Sequence, residues 1–160
     1  MADNNNVLTL LKSELTEQLG GSSVDIFKKL DVRDWGSFFR AGVRLDFEHN
    51  AVILREGQPG DAVYFLAEGQ VRVEQMVNDV NIELARLPSG CIFGEMSFLD
   101  GANVSASVAA DGHVELVKVP NKDLQNLIEE DSRFAAHFYQ SLAATLSGRL
   151  RATSKIINQV

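Results

Sequence analysis

Apolar residues near both ends of the chain recur every three to four positions, whereas between Leu45 and Val119 they gather in short runs broken by turn residues. The first pattern predicts helices and the second predicts strands. Val7, Leu8, Leu11, Leu15 and Leu19 form one amphipathic stripe, stopped by Gly20-Gly21. A second helical stretch follows from Val24 to about Leu30. A third starts after Asp31, a good N-cap residue, carries Trp35, Phe38 and Phe39 toward the core, and ends at Gly42. Near the other end, Asn121 is read as the N-cap of a helix through Leu124, Leu127 and Ile128. A long final helix from near Asp131 carries Phe134, Phe138, Leu142, Leu146, Leu150 and Ile157 on one stripe. Only Gly148 weakens it, by ~1 kcal/mol relative to alanine.

Between these helices the strand pattern is dense. Ala51–Leu54 is closed by the turn Glu56 to Asp61, and Val63–Ala67 by Glu68-Gly69. Gln70–Met76 alternates, with Val71 and Val73 on one face and Arg72 and Glu74 on the other. A hairpin turn over Val77–Asn81 leads to Ile82–Leu87. After Pro88-Ser89-Gly90 come Cys91–Phe93, a glycine-flanked loop from Gly94 to Gly101, then Ser105–Ala110 and Val114–Val119 around Asp111-Gly112. Short strands at regular spacing predict a closed or double-layered β structure.

Composition narrows the function classes. With 160 residues, 45% apolar and 23% charged, the chain is an ordinary globular domain. Its formal charge of −7 argues against nucleic acid as the main ligand, since phosphate backbones need clustered Lys and Arg. The charge is uneven: residues 51–130 hold 13 acidic and 5 basic side chains, residues 131–160 hold 1 and 4. No run reaches the ~18 apolar residues of a membrane span, and no basic segment leads into an apolar one at the start. One cysteine, Cys91, excludes an internal disulfide, and a cytoplasmic setting is expected.

Catalytic chemistry finds little support. His49, His113 and His137 are scattered without a His-x-His pair, so no metal is expected. Cys91 lies beside Ile92 and Phe93 in an apolar strand, the setting of an inert thiol. No Gly-x-Ser-x-Gly elbow occurs. The expectation is a protein that is not an enzyme. The segment Phe93-Gly94-Glu95-Met96-Ser97 to Val108 stands apart. A glycine before a carboxylate, in a turn between strands, lets backbone N–H groups converge on an anion, and Glu95 suits sugar hydroxyls.

Arg55-Glu56-Gly57-Gln58-Pro59-Gly60-Asp61, Val63-Tyr64-Phe65-Leu66 and Gly69-Gln70-Val71-Arg72-Val73 resemble the opening hairpins of cyclic-nucleotide-binding domains. Phe93 to Val108 is similar, without a gap, to that family's phosphate-binding cassette, and the likeness extends over roughly residues 27–151. It implies an eight-stranded β-roll (a double-stranded β-helix or jelly roll) with N-terminal helices and a long C-terminal helix. The expected division is an extension over 1–23, the roll with its flanking helices over 24–130, and a lid or dimerisation helix over 131–160.

The resemblance also implies a ligand, cAMP or cGMP, and no other cofactor. Gly94 and Glu95 match the glycine and the carboxylate that meets the ribose 2′-hydroxyl. Met96 and Ser97 match positions whose N–H groups approach the cyclic phosphate, and Ser105 and Ala106 match the pair after the family's arginine. That arginine is Val104 here, with Arg149 and Arg151 as candidates to replace its charge. The expected partners are a second copy of the chain along Phe138, Leu142, Leu146 and Leu150, and a downstream protein, with no direct DNA binding and no membrane. Two readings stay open: a stand-alone signalling module that binds cyclic nucleotide, and a degenerate roll that acts as a dimeric scaffold.

Overall fold

The computed structural model describes residues 29–157. The stripe from Val7 to Leu19 and nearly all of the Val24–Leu30 stretch lie outside them. Helix α1 (Val32–Arg40) starts where Asp31 predicts. The Asp34 N–H donates to Asp31 Oδ1 and the Asp31 N–H to Asp34 Oδ2, each at 3.0 Å, so two helix-end donors are satisfied reciprocally.

Six strands come next: β1 (Val43–Phe47), β2 (Val52–Leu54), β3 (Ala62–Val77), β4 (Val80–Pro88), β5 (Ile92–Phe93) and β6 (Ser107–Pro120), with a short helix α2 (Glu95–Asp100) between the last two. Helices α3 (Asn121–Glu130) and α4 (Ser132–Ile157) complete the described chain. No helix among the described residues is long and apolar enough to cross a membrane.

Strands β3 and β6 are the frame. They pair antiparallel from Ala62↔Pro120 to Glu74↔Ser107, and every other strand lies beside one of them. Each joins two of the seven expected segments, and β1, which is not among those seven, brings the described strands to six where the resemblance implies eight. The turns expected at Gly69 and Gly112 are bends within continuous strands: Gly69 has φ +91° and Gly112 φ +83°, and the register shifts between Leu66 and Gln70. A Cβ on Gly69 would lie 2.5 Å from the His113 carbonyl oxygen, so only glycine lets the two strands stay this close. The β3–β4 hairpin turns at Asn78 and Asp79, both with positive φ, as the local pattern predicts.

Residues 38–125 form one compact unit. Its interior is apolar: Leu54, Tyr64, Leu66, Val71, Phe93, Val104, Val108, Val114 and Leu116 make one cluster, joined by partly buried Val73 and Leu87. The other face of β3 buries Val63 and Phe65, with Phe39 edge-on to Phe65 at 5.3 Å. Each such side chain contributes about 1.5–3 kcal/mol of burial. Residues 29–37 and 126–157 belong to a second unit. Within it Phe134 and Phe138 stack at 5.6 Å, and Asp131 Oδ1 accepts the Phe134 N–H at 3.0 Å, capping α4.

Two expectations need correction. Asn121 does not cap α3; its Nδ2 donates to the Gly60 carbonyl instead. Phe138 and Leu142, expected at a dimer interface, are already buried within this chain, while Leu146 is half-buried and Leu150 is 69% exposed.

Candidate functional site

The pairing of β5 with β3 sets Phe93 opposite Tyr64, and the two rings stack at 5.1 Å with an interplanar angle of 3°. The chain must then turn away from Tyr64 at once. Gly94 does so with φ +80°; a Cβ there would lie 2.8 Å from the Ala62 carbonyl oxygen and 3.3 Å from the tyrosine ring. No other residue fits that turn without strain. Beyond Gly94 the chain forms a helix rather than the expected loop, running from Glu95 to Asp100 and ended by the Gly101 N–H donating to the Ser97 carbonyl at 2.9 Å. Glu95 is 3% exposed, an unusual position for a carboxylate. Met96 is exposed, and Ser97 is buried against Gly60, where a Cβ would come within 2.3 Å of the Ser97 Cβ.

The second arm is built by the turn after β2. The Val104 N–H donates to the Gln58 carbonyl and the Gly57 N–H to the Val104 carbonyl, both at 2.8 Å. Ser107 Oγ accepts the Glu56 N–H at 2.9 Å, and Gln75 Nε2 donates to the Ser105 carbonyl at 3.2 Å. The Glu56–Gly60 turn therefore braces both arms, Ser97 on one side and Val104 on the other. Ser105 is exposed and Ala106 half-buried. The sequence marks the two arms as site residues but not Gly57, Gly60 or Gln75. The density of turn residues from Glu56 to Asp61 is the signal for the brace.

Val104 is 8% exposed inside the apolar cluster, so no cation stands at that position. Lys118, opposite Tyr64 in the register, lies 5.9 Å from the Tyr64 ring centroid and 3.2 Å from Asp61 Oδ2. Burial pushes the Tyr64 hydroxyl pKa up, and the nearby ammonium opposes that rise. Arg151 is exposed, and the Arg149 side chain lies outside the described residues.

Cys91 is buried, as its apolar neighbours suggest. The histidines are less scattered than the sequence implies. His113 meets Asp46 and Glu115, and His137 meets Asp31 and Asp34, each group with donor atoms within 4.8 Å of one another. In the second group Arg133 already contacts both carboxylates, and in the first Arg44 pairs with Glu115. His49 is an acceptor, its Nδ1 taking the Gly112 N–H at 2.8 Å.

Residues 44–131 match the family model described as cyclic nucleotide-binding domain. The chain is 38% identical over 100 residues to the cyclic AMP receptor protein of Thermus thermophilus, covering 62% of this chain and 44% of that protein. It is 33% identical over 117 residues to a cyclic nucleotide-gated potassium channel of Mesorhizobium japonicum, covering 73% of this chain and 31% of the channel. A solved cyclic nucleotide-binding domain from Methylobacillus flagellatus superposes with a TM-score of 0.79 at 20% identity, over 98% of this chain and 85% of that one. Of the first curated relatives it matches, the chain spans about a third of the length or less, 28%, 16% and 31%.

Proposed function

The chain belongs to the cyclic nucleotide-binding domain family, and on that premise we propose that it is a regulatory binding module, not an enzyme, that takes cAMP or cGMP. The observation that carries the reading is the turn at Gly94: a left-handed glycine closed against Ala62 and Tyr64, followed by a carboxylate held almost out of water. A buried Glu95 suits a ribose 2′-hydroxyl, because a carboxylate accepts strongly from a hydroxyl in a low-dielectric site. Main-chain N–H groups at Met96 and Ser97, with Ser105 and Ala106 on the other arm, are the proposed phosphate ligands. The module passes occupancy to a downstream protein through its helices. It works as a dimer joined along the outer turns of α4, where Leu150 is exposed.

One observation favours a second reading. Val104 completes the apolar cluster where the family resemblance places an arginine. A charge-assisted bond contributes about 1.5–3 kcal/mol, so its loss weakens anion binding by roughly 10- to 100-fold. On this alternative the roll no longer binds nucleotide and serves as a scaffold. Calorimetric titration with cAMP and cGMP decides between them. Saturable heat that disappears in Glu95→Ala supports the module; no heat with either nucleotide at millimolar concentration supports the scaffold.

A further inference from the structure

The Asp34 carboxylate is fully buried, with 0% side-chain exposure, and among the described residues three donors converge on it. His137 Nδ1 lies 2.7 Å from Oδ2, the Asp31 N–H donates to that same oxygen at 3.0 Å, and Arg133 donates to Oδ1 at 3.0 Å. Arg133 also reaches the Asp31 carboxylate, so one guanidinium spans both acidic groups. Asp31 and Asp34 stand at the first turn of α1, whereas Arg133 and His137 stand at the first two turns of α4, about a hundred residues later in the chain. Nothing in the sequence around these four residues marks them as a group.

We infer that this hub is a latch that makes the starts of α1 and α4 a single conformational unit. The physics is that of a shared buried charge. If the base of α4 moves, Asp34 loses the two donors that α4 supplies and is left charged in a dry environment, which is strongly unfavourable. A partly opened hub is therefore disfavoured against both the closed hub and one in which Asp34 reaches water. That requires the first turn of α1 to loosen too. Two packed elements sharing such a group behave as a two-state element and not as a continuous hinge. This inference rests on the proposed function only for its purpose: if occupancy is passed through the helices, it is passed to α1 and α4 together.

Hydrogen–deuterium exchange of the full chain tests the latch without any ligand. Arg133→Gln should raise amide exchange at least tenfold in residues 32–37 as well as in 132–141, while residues 62–66 of β3 stay as protected as before. Arg133→Lys, which keeps the charge, should restore part of the protection in both segments at once. If Arg133→Gln unfolds the chain, His137→Gln removes a single donor and is read at the same two segments. Faster exchange confined to α4, with the start of α1 unchanged, overturns the latch. A second arm adds cAMP or cGMP at millimolar concentration. Silence there counts against nucleotide binding and leaves the first arm to judge the latch alone.

Discussion

Val104 sits almost wholly out of water among Leu54, Tyr64, Phe93 and Val108, while both of its backbone groups are tied to the Gly57–Gln58 turn. The side chain at this position can therefore change without moving the arm that carries it. An arginine here would enter the roll interior as an uncompensated cation, which is costly when nothing anionic is bound. A cyclic phosphate would supply the missing charge, and guanidinium donors match two of its oxygens. Val104→Arg should thus lower the melting temperature of the free protein and raise affinity for cAMP, cGMP or both at least tenfold, about 1.4 kcal/mol. Paired thermal melts and calorimetry read both effects. A folded variant that ignores both nucleotides would move the weight to the scaffold reading. Position 104 and the Gly94-Glu95 pair are legible in the sequence because a local motif carries them. The fit of Ser97 against Gly60 is not, since 37 residues separate them and only the tertiary approach makes a side chain at 60 impossible.

The helix start at Asp31 and the bends at Gly69 and Gly112 show what local sequence does and does not encode. Asp31 is readable as a cap because its partner, Asp34, is three residues away and the interaction is local. The two glycines read as turns, because a glycine after an acidic residue gives the same local signal for a hairpin and for a bulge. What separates them is whether pairing continues beyond the glycine, and here β3 and β6 carry on pairing each other. The cap has a consequence for acid stability. The Asp31 carboxyl is held down to about 2, first by the Asp34 N–H and then by the Arg133 guanidinium. A group depressed in the folded state contributes stability above its unfolded value near 4, and that contribution fades as pH falls through about 2. Asp131, capping α4 through the Phe134 N–H, is depressed too and acts in the same direction. Acid titration followed by circular dichroism should show helix loss beginning below about pH 4, and Asp31→Asn should flatten that part of the curve. An unchanged acid limb in the variant would show that the cap is not linked to stability.

For the whole molecule, the long helix carries two different apolar surfaces on one stripe. Phe134, Phe138 and Leu142 are consumed within the chain, and the periodicity that reveals them cannot say where that use stops. Burial answers it: Leu146 is half-covered and Leu150 stands out in solvent. An exposed leucine at that spacing on a helix of 26 residues is a natural seam for a second copy, with equivalent leucines meeting across a two-fold axis. The proposed dimer therefore depends on the outer turns and not on the inner ones. Leu146→Glu and Leu150→Glu should each give a folded monomer, because a charge in the seam opposes its own symmetry mate as well as leaving water. Leu142→Ala should act differently. It opens a cavity in the chain's own packing, at a cost of about 2–5 kcal/mol, and should lower the melting temperature at fixed concentration far more than it shifts the monomer–dimer balance. Light scattering across a concentration series, read beside thermal melts, separates these two behaviours. If the unmodified chain is monomeric at tens of micromolar, the seam has no second copy to serve, and any signal that α4 carries must be delivered to a different protein.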